Sequence, residues 1–470
     1  MSTLVTYNPA TGEPLAEYAT FTDAEVDAAL TAASEAQRRW AARPIEDRAA
    51  VLRRVAQILR TETADLALLV TREMGKPLVE ARAEVEKCAT TCDYYADNAA
   101  VYLADEPVVT SADRSWISYE PVGVVLAVMP WNFPLWQVLR FAAPALMAGN
   151  GALLKHSPNT TGCAVAVQRV VAAAGAPEGL FGALVVAEAD VPAVTQRLIA
   201  DPRIGAVTIT GSERAGRAVG AAAGDSIKKS VLELGGSDAF VVLADADLPR
   251  VAALAARGRL MNAGQSCISP KRLIVDASVA EEFTRLLVTE VESLVVGDPE
   301  KDGTHVGPMA RADLRDGVHR QVEASVEAGA RVLTGGRPLE GPGCFYAPTV
   351  LAGVAPGQVA YDEEVFGPVA AVIVADGDDD AVRIANDTRF GLGASVWTTD
   401  PERGVAVARR IRSGAAFVNA LVASDPRMPF GGTRASGYGR ELAAAGIREF
   451  VDVRTWWVLD EPAATAPVSE

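Results

Sequence analysis

The chain has 470 residues, 49% of them hydrophobic, which is enough for two sizeable domains with separate cores. Its 44 Lys and Arg residues against 60 Asp and Glu residues give a formal net charge of −16. This acidity disfavours attraction to phosphate backbones and to anionic lipids. We therefore expect neither a nucleic acid nor a membrane surface as a partner.

The N-terminal segment has no basic region followed by an apolar one, and no apolar run approaches the length of a membrane span. We therefore expect a soluble, cytoplasmic protein. The five cysteines are odd in number, and Cys88 and Cys92 have helical spacing, so a disulfide framework is not expected. The three histidines stand apart and show no metal-ligand spacing, so no metal site is expected.

The first elements along the chain are helical by their apolar spacing. One helical region is predicted from Asp23, a candidate N-cap, to Gly75, a candidate stop. A second helical stretch is predicted from about Pro77 to Ala100. We interpret both as scaffold without chemistry.

After Pro121 short apolar runs alternate with Ala-rich helical segments. The first series contains VGVVLAVM, GALLK, GALVV, GAVTIT and AFVVL; a second, starting near Leu234, contains KRLIV, RVLTGG, VAAVIV, GASVWT and GAAFV. This alternation predicts an α/β fold with two doubly wound, mainly parallel sheets. Ligands bind at the carboxyl ends of strands in such folds.

The turn MPWNFP follows the first of these strands and holds Trp131, Asn132 and Phe133 between two prolines. An amide on such a rigid turn can donate an N–H to a developing oxyanion. The alternative is an aromatic turn that only packs a core.

Two other strand ends carry groups suited to a phosphate-containing ligand. Lys155 ends the GALLK strand, followed by His156, and Gly211 and Ser212 form a strand-to-helix turn. Backbone N–H groups at a helix start suit a pyrophosphate, although the spacing is not GxGxxG. A surface lysine and a simple Ser N-cap are the alternatives.

Glu233 and Cys267 are the two candidates for covalent and acid–base chemistry. Glu233 stands in an apolar strand before two glycines, where burial raises a carboxyl pKa towards that of a general base. Cys267 follows Gly-Gln-Ser in a turn, and its thiolate would be a nucleophile. A satisfied buried Glu and an inert Cys are the alternatives.

The segment EEVFGP supplies a further carboxylate and an aromatic ring. Glu363 or Glu364 can accept the hydroxyls of a ribose, and Phe366 can pack against a nicotinamide ring. A charged loop with a structural turn is the alternative.

The motifs occur in the order PWNFP, LLK, TGS, LELGG, GQSC, EEVFGP and PFGG. With this order the chain resembles the aldehyde dehydrogenase superfamily over almost its whole length. The resemblance implies oxidation of an aldehyde through a thioester, with Cys267 as nucleophile, Glu233 as general base, and Asn132 with the Cys267 N–H as oxyanion hole. It implies cofactor contacts at Trp131, Asn132, Lys155, His156, Ser157, Pro158, Gly211, Ser212, Leu234, Glu364 and Phe366.

Within this family the segments MPWNFPLWQ, LELGGSD and NALVASDPRMPFGG look most like those of bacterial succinate-semialdehyde dehydrogenases. The resemblance implies that Arg140 binds the substrate carboxylate, with Trp136 and Ser424 also lining the substrate site. A second arginine of some relatives, six residues before the nucleophile, is Met261 here. Another semialdehyde or an apolar aldehyde is the alternative substrate, and a non-catalytic member of the family is the alternative of another class.

The cofactor implied by the resemblance is NAD or NADP. Many NAD-preferring relatives carry a glutamate three residues after the lysine, where this chain has Pro158. The loss of that acid permits NADP, whose 2′-phosphate could accept a hydrogen bond from Ser157.

The resemblance also implies a division of the chain. Residues 1–104 and 122–233 form the cofactor domain and 234–432 the catalytic domain. Residues 105–121 and 448–460 form strands that pair protomers in a homodimer or homotetramer, 433–447 a helix that returns to the cofactor domain, and 461–470 a flexible tail.

Overall fold

A computed structural model describes residues 2–460, so the predicted tail at 461–470 lies outside the described residues. The helices are α1 Asp23–Ala41, α2 Ile45–Thr61, α3 Thr63–Met74, α4 Leu78–Tyr102, α5 Trp136–Met147, α6 Thr161–Ala173, α7 Val191–Ala200, α8 Glu213–Asp225, α9 Leu248–Leu260, α10 Ala280–Glu292, α11 Ala312–Glu327, α12 Val359–Asp362, α13 Gly377–Asn386, α14 Pro401–Ala408 and α15 Ala443–Arg448. The strands are β1 Thr3–Tyr7, β2 Pro14–Ala19, β3 Glu106–Pro107, β4 Arg114–Pro121, β5 Val124–Met129, β6 Gly151–His156, β7 Phe181–Leu184, β8 Ile204–Thr210, β9 Lys229–Glu233, β10 Asp238–Val242, β11 Pro270–Asp276, β12 Arg331–Thr334, β13 Thr349–Ala352, β14 Val369–Ala375, β15 Gly393–Trp397, β16 Ala415–Val418, β17 Gly437–Tyr438 and β18 Val451–Val458.

The first sheet has the strand order β17-β9-β8-β5-β6-β7, and all its strands except the short β17 are parallel. Every residue of β6 is buried and β5 is almost fully so, because helices cover both faces of the sheet. This explains why these strands are continuous apolar runs without alternation. Their carboxyl ends meet at one edge, where ligands bind in such sheets.

The second sheet has the order β12-β13-β14-β11-β10-β15-β16, with only β12 antiparallel. The predicted α/β fold with two mainly parallel sheets is therefore confirmed. The AFVVL run, grouped with the first series by its sequence neighbours, is β10 of this second sheet. Apolar runs of this kind predict strands but do not say which sheet they join.

The N-terminal helical region is broken into three helices. The N-cap of α1 is Thr22 and not Asp23: its hydroxyl accepts from the backbone N–H of Glu25, whose carboxylate accepts from the Thr22 N–H in return. The predicted stop at Gly75 is correct, because Gly75 ends α3 with a φ of 85° that favours glycine.

A third sheet, β18-β4-β3, is built from the segments in which protomer-pairing strands were predicted. The prediction of one helix over 433–447 is wrong. A short 3-10 turn and β17 occupy its first half, and only α15 is helical. Positive φ angles at Gly437, Leu442 and Ala443 interrupt any longer helix. The domain division itself remains a prediction.

Within residues 2–460, no helix combines the length and apolar character needed to cross a lipid bilayer.

Candidate active site

The candidate residues lie where the carboxyl ends of the strands of the first sheet face the loop that precedes β11. Asn132 follows β5, Lys155 lies in β6, Gly211 follows β8, and Glu233 ends β9. Cys267 lies in the loop between α9 and β11 of the second sheet. The parallel topology therefore brings residues from four strand ends of the first sheet to one region, which the loop before β11 faces.

The Cys267 loop is held in place by hydrogen bonds to the neighbouring Lys271 and Ala310. The Lys271 ammonium donates to the carbonyls of Ser266 and Cys267, at 2.8 and 2.7 Å. The Gln265 carboxamide oxygen accepts from the Ala310 N–H at 2.9 Å. Burial raises the pKa of the Cys267 thiol to about 11, while the nearby cations of Lys271 and Arg140 oppose that rise. The loop positions the sulfur without by itself making a thiolate.

Asn132 lies against this loop as the oxyanion proposal requires. Its side-chain N–H donates to the Gln265 carbonyl at 3.1 Å, which leaves a second N–H for a ligand. Asn262, which the motifs did not single out, donates to the carbonyls of Asn132 and Gln265 at 2.8 and 3.1 Å. Asn262 therefore ties the PWNFP turn to the cysteine loop.

Glu233 is a buried carboxyl whose Oε1 has no hydrogen-bond partner among the described residues. Burial, and next the neighbouring carboxyl of Glu441, hold the pKa of Glu233 well above its ordinary value, while Arg140 opposes this. A Cβ at Gly431, in the PFGG motif, would come within 2.9 Å of Oε1. Glycine there leaves room for the carboxyl, which has the features of a general base.

Glu364 faces the same region but already has protein partners. It pairs with Lys271 at 3.0 Å and accepts from the Gly236 N–H at 3.1 Å. A Cβ on Gly235 would lie 2.1 Å from the Glu364 carboxylate, so the two glycines of LELGG permit this approach. Contact with a ribose remains a prediction for Glu364.

A cavity of about 780 Å³ opens onto Cys267. It is lined by Trp136, Phe133, Phe430 and Met261, and by the polar side chains of Arg140 and Ser424 among others. Arg140 is 2% exposed; it forms an ion pair with Glu441 and donates to Thr210 at 3.1 Å. Its charge is therefore matched inside the protein, and its contact with a substrate stays a prediction.

Helix α4, interpreted from the sequence as scaffold, contributes polar groups to this cavity. Glu84 accepts from the N–H groups of Leu135 and Trp136, both at 2.9 Å, and forms an ion pair with Lys76. Lys87 lies one turn further on, also on the cavity wall. Side chains of α4 therefore line the cavity, which the interpretation of this helix as scaffold did not predict.

The next strand end holds the predicted phosphate-binding lysine. Lys155 is 8% exposed and forms no ion pair with any residue in 2–460, and burial lowers its pKa to about 8. Both ring nitrogens of His156 are bonded to backbone, at Pro134 O and Ser157 N, so no nitrogen remains for a cofactor. His156 instead fixes the PWNFP turn. Ser157 donates to Asn159 at 2.7 Å, and Pro158 begins a 3-10 turn.

Two of the remaining predicted contacts, Ser212 and Glu364, line a cleft of about 460 Å³. Ser212 is the N-cap of α8, and a Cβ on Gly211 would meet no atom closer than 3.7 Å, so the turn is open to a ligand. Leu234 packs on Gly216 of α8. Further along, Trp131 and Phe366 meet edge to face, with ring centroids 5.9 Å apart.

The comparisons with known proteins decide the family. The family model described as "Aldehyde dehydrogenase family" matches residues 2–456. The chain belongs to the aldehyde dehydrogenase family. As an aldehyde dehydrogenase it is an oxidoreductase, and the resemblance drawn from its motifs is confirmed.

Similar aldehyde dehydrogenases carry more specific names. One, "Probable succinate-semialdehyde dehydrogenase [NADP(+)]" of Synechocystis sp., is 49% identical, covering 97% of this chain and 99% of its own. Another, "Succinate semialdehyde dehydrogenase [NAD(P)+] Sad" of Escherichia coli, is 46% identical, covering 96% and 97%. The crystal structure of a succinic semialdehyde dehydrogenase from Streptococcus pyogenes with NADP+ superposes with a TM-score of 0.94 at 36% identity, covering 97% and 100%.

The raised pKa of Cys267 has a measurable consequence for this aldehyde dehydrogenase. Without cofactor, the rate at which iodoacetamide alkylates Cys267 should rise about tenfold per pH unit and level off only near pH 11. The reason is that the thiolate reacts and burial keeps the thiol protonated. Mass spectrometry of the Cys267 peptide, with the partly exposed Cys344 as internal reference, measures the rate. A plateau already at pH 8.5, the value for a free thiol, would contradict the prediction.

Proposed function

We propose that this aldehyde dehydrogenase oxidises succinate semialdehyde to succinate with NAD or NADP. Two observations support the activity: the Asn132 amide bonds to the loop that carries Cys267, and Oε1 of the buried Glu233 carboxyl has no hydrogen-bond partner within residues 2–460. The names of relatives that are 46–49% identical over nearly the whole chain support the substrate. A cavity with cationic side chains in its wall suits a carboxylated aldehyde.

The residues present fit a dinucleotide. Lys155 offers a buried ammonium without an ion-pair partner in residues 2–460, and the open Gly211–Ser212 turn offers the positive end of α8. Trp131, Leu234, Glu364 and Phe366 would complete its surroundings. When bound, the dinucleotide supplies the acceptor for the hydride that leaves the substrate carbon.

The protein groups divide the chemistry among them. The Cys267 thiol releases its proton to water, the sulfur bonds to the aldehyde carbon, and the carbonyl oxygen becomes an oxyanion held by the Asn132 amide and the Cys267 N–H. Loss of hydride leaves a thioester on the sulfur. Glu233 takes a proton from water, whose oxygen attacks the thioester carbonyl. The C–S bond breaks, the acid leaves, and the cysteine is restored.

The choice between the two cofactors depends on the residues after Lys155. Pro158 offers no carboxylate to a ribose 2′-hydroxyl and no charge to repel a 2′-phosphate. The Ser157 hydroxyl, which now donates to Asn159, could turn to such a phosphate. Both cofactors should therefore be used.

The assembly we propose is a homodimer or homotetramer acting in the cytoplasm. The support lies in β18, an edge strand of the third sheet whose residues Val453 and Trp457 are 63% and 54% exposed. An exposed edge strand with apolar side chains presents unpaired N–H and C=O groups with which another chain can pair. Size-exclusion chromatography with light scattering measures the mass.

The activity is tested by the absorbance of NADH and NADPH with a panel of aldehydes. We expect kcat/KM for succinate semialdehyde to exceed that for butanal, propanal and benzaldehyde by at least about tenfold. The reason is that a neutral aldehyde cannot form the charged hydrogen bond that the carboxylate of succinate semialdehyde forms with the cavity wall. The Cys267→Ala variant is the control and should be inactive. An equal or higher value for the neutral aldehydes would assign an apolar aldehyde instead.

A further inference from the structure

Lys87 is the feature of the substrate cavity that the motifs left unassigned. It lies on α4, partly buried, with its ammonium 2.7 Å from the Ser424 hydroxyl and 4.2 Å from the centroid of the Trp136 ring. All three side chains line the cavity that opens onto Cys267. A cation is thus held between a hydroxyl and an aromatic face at the wall of the substrate site.

The other cationic side chains of the cavity wall differ from Lys87 either in forming an ion pair or in being exposed. Arg140 is buried and ion-paired with Glu441. Arg257 is exposed on α9, so water screens its charge. Within residues 2–460, Lys87 alone among the Lys and Arg residues of this cavity is both partly buried and outside any ion pair.

The carboxylates nearest to Lys87 are engaged elsewhere. Glu84 pairs with Lys76 and accepts two N–H groups from the start of α5. Asp425, next to Ser424, pairs with Arg427 at 2.6 Å. The Lys87 ammonium therefore keeps donors available: it has three N–H bonds, and only the one to Ser424 is used within the described residues.

We infer that Lys87, with Ser424, binds the remote carboxylate of the semialdehyde and so determines the selectivity for a carboxylated substrate. The inference rests on the proposed function and gives the role predicted for Arg140 to another side chain. An unmatched buried cation is unfavourable, and a carboxylate that replaces water around it gains a charge-assisted hydrogen bond. The paired Arg140 gains less, because a substrate would compete with Glu441 for it.

Burial and the nearby Arg140 cation lower the pKa of Lys87 to about 8, while Glu84, Asp425 and Cys88 oppose the shift. Both causes of the lowering disfavour the charged ammonium, and a bound carboxylate removes that penalty. Binding of an anion therefore favours the charged form of Lys87.

The test compares kcat/KM for succinate semialdehyde with kcat/KM for butanal, which has the same chain length without the carboxylate. In Lys87→Met the ratio of the two should fall about 10- to 100-fold, the loss of one charged hydrogen bond, and the fall should appear mainly in KM. Lys87→Arg should recover most of the ratio. Arg257→Met, a cation removed from the rim, should change it by less than about threefold.

Lys87→Gln, which can still hydrogen-bond to Ser424 without a charge, provides a second variant should the methionine disturb folding. Its ratio should fall like that of Lys87→Met. A ratio unchanged in either folded variant would overturn the role of Lys87. Wild-type enzyme with no preference for succinate semialdehyde over butanal would instead overturn the proposed substrate, so the two failures are distinguishable.

Discussion

Glu233→Gln is expected to slow hydrolysis of the thioester on Cys267 by about 10²- to 10⁴-fold, the usual contribution of a general base. Glutamine fills the same buried space beside Gly431 but cannot accept a proton from water. Hydride transfer precedes this step and needs no proton acceptor at residue 233. Rapid mixing should therefore show a burst of NADH or NADPH close to one per active site, followed by a slow steady state.

The pH dependence of the wild type provides the matching measurement. Burial raises the pKa of Glu233, and only the ionised carboxyl accepts a proton, so thioester hydrolysis should decline as the pH falls through that raised value. In Glu233→Gln this decline should be absent. An unchanged steady-state rate in the variant, or a slow step without a burst, would remove Glu233 from the role of base.

The positions of Asn132 and Glu233 could be predicted because each lies at the carboxyl end of a strand. Apolar runs mark the strands, parallel strands place their carboxyl ends at one edge, and the glycines after Glu233 indicate close approach. The structure brings Asn132 within hydrogen-bond reach of the Cys267 loop, as those rules predict. These features depend on local sequence and one topological rule.

The contribution of α4 to the cavity wall was harder to predict from the sequence. Glu80, Glu84 and Lys87 follow a spacing of i, i+4 and i+7, a pattern that ordinarily indicates a solvated helix face. Here that face lines the cavity: Glu80 accepts from the Asn262 N–H at 2.9 Å, and burial raises its pKa to about 7. The sequence did contain a sign that this face is not solvated. The small and apolar residues Ala81, Val85 and Cys88 are interspersed with these charges, so α4 has no clearly separate polar face.

The pairing of Arg140 illustrates a different limit. Its partner Glu441 is 301 residues away, and β17, which returns to the first sheet just before Glu441, helps to bring the two together. A motif can show that an arginine faces the substrate site, but it does not show whether another carboxyl matches its charge. Such matching depends on tertiary contacts, which no local pattern records.

Asn132→Ala is expected to lower kcat by about 10²- to 10³-fold, the usual effect of removing one donor from an oxyanion hole. The amide is 4% exposed, and its bond to Gln265 fixes its direction before substrate binds. The second N–H is then left to donate to the oxyanion, and little reorganisation is needed. Because the oxyanion precedes both hydride loss and thioester hydrolysis, the NADH burst itself should become slow, unlike that of Glu233→Gln.

Asn132→Asp is the matched control, because aspartate keeps the size of the side chain but offers a negative acceptor where the oxyanion needs a donor. It should be at least as slow as Asn132→Ala. The bond from Asn262 to the backbone carbonyl of residue 132 does not depend on the side chain there, so the Trp131 turn should stay intact in both variants. Cofactor affinity, measured by quenching of tryptophan fluorescence, checks this. A fast burst in the alanine variant with normal cofactor affinity would show that the Cys267 N–H stabilises the oxyanion without the amide.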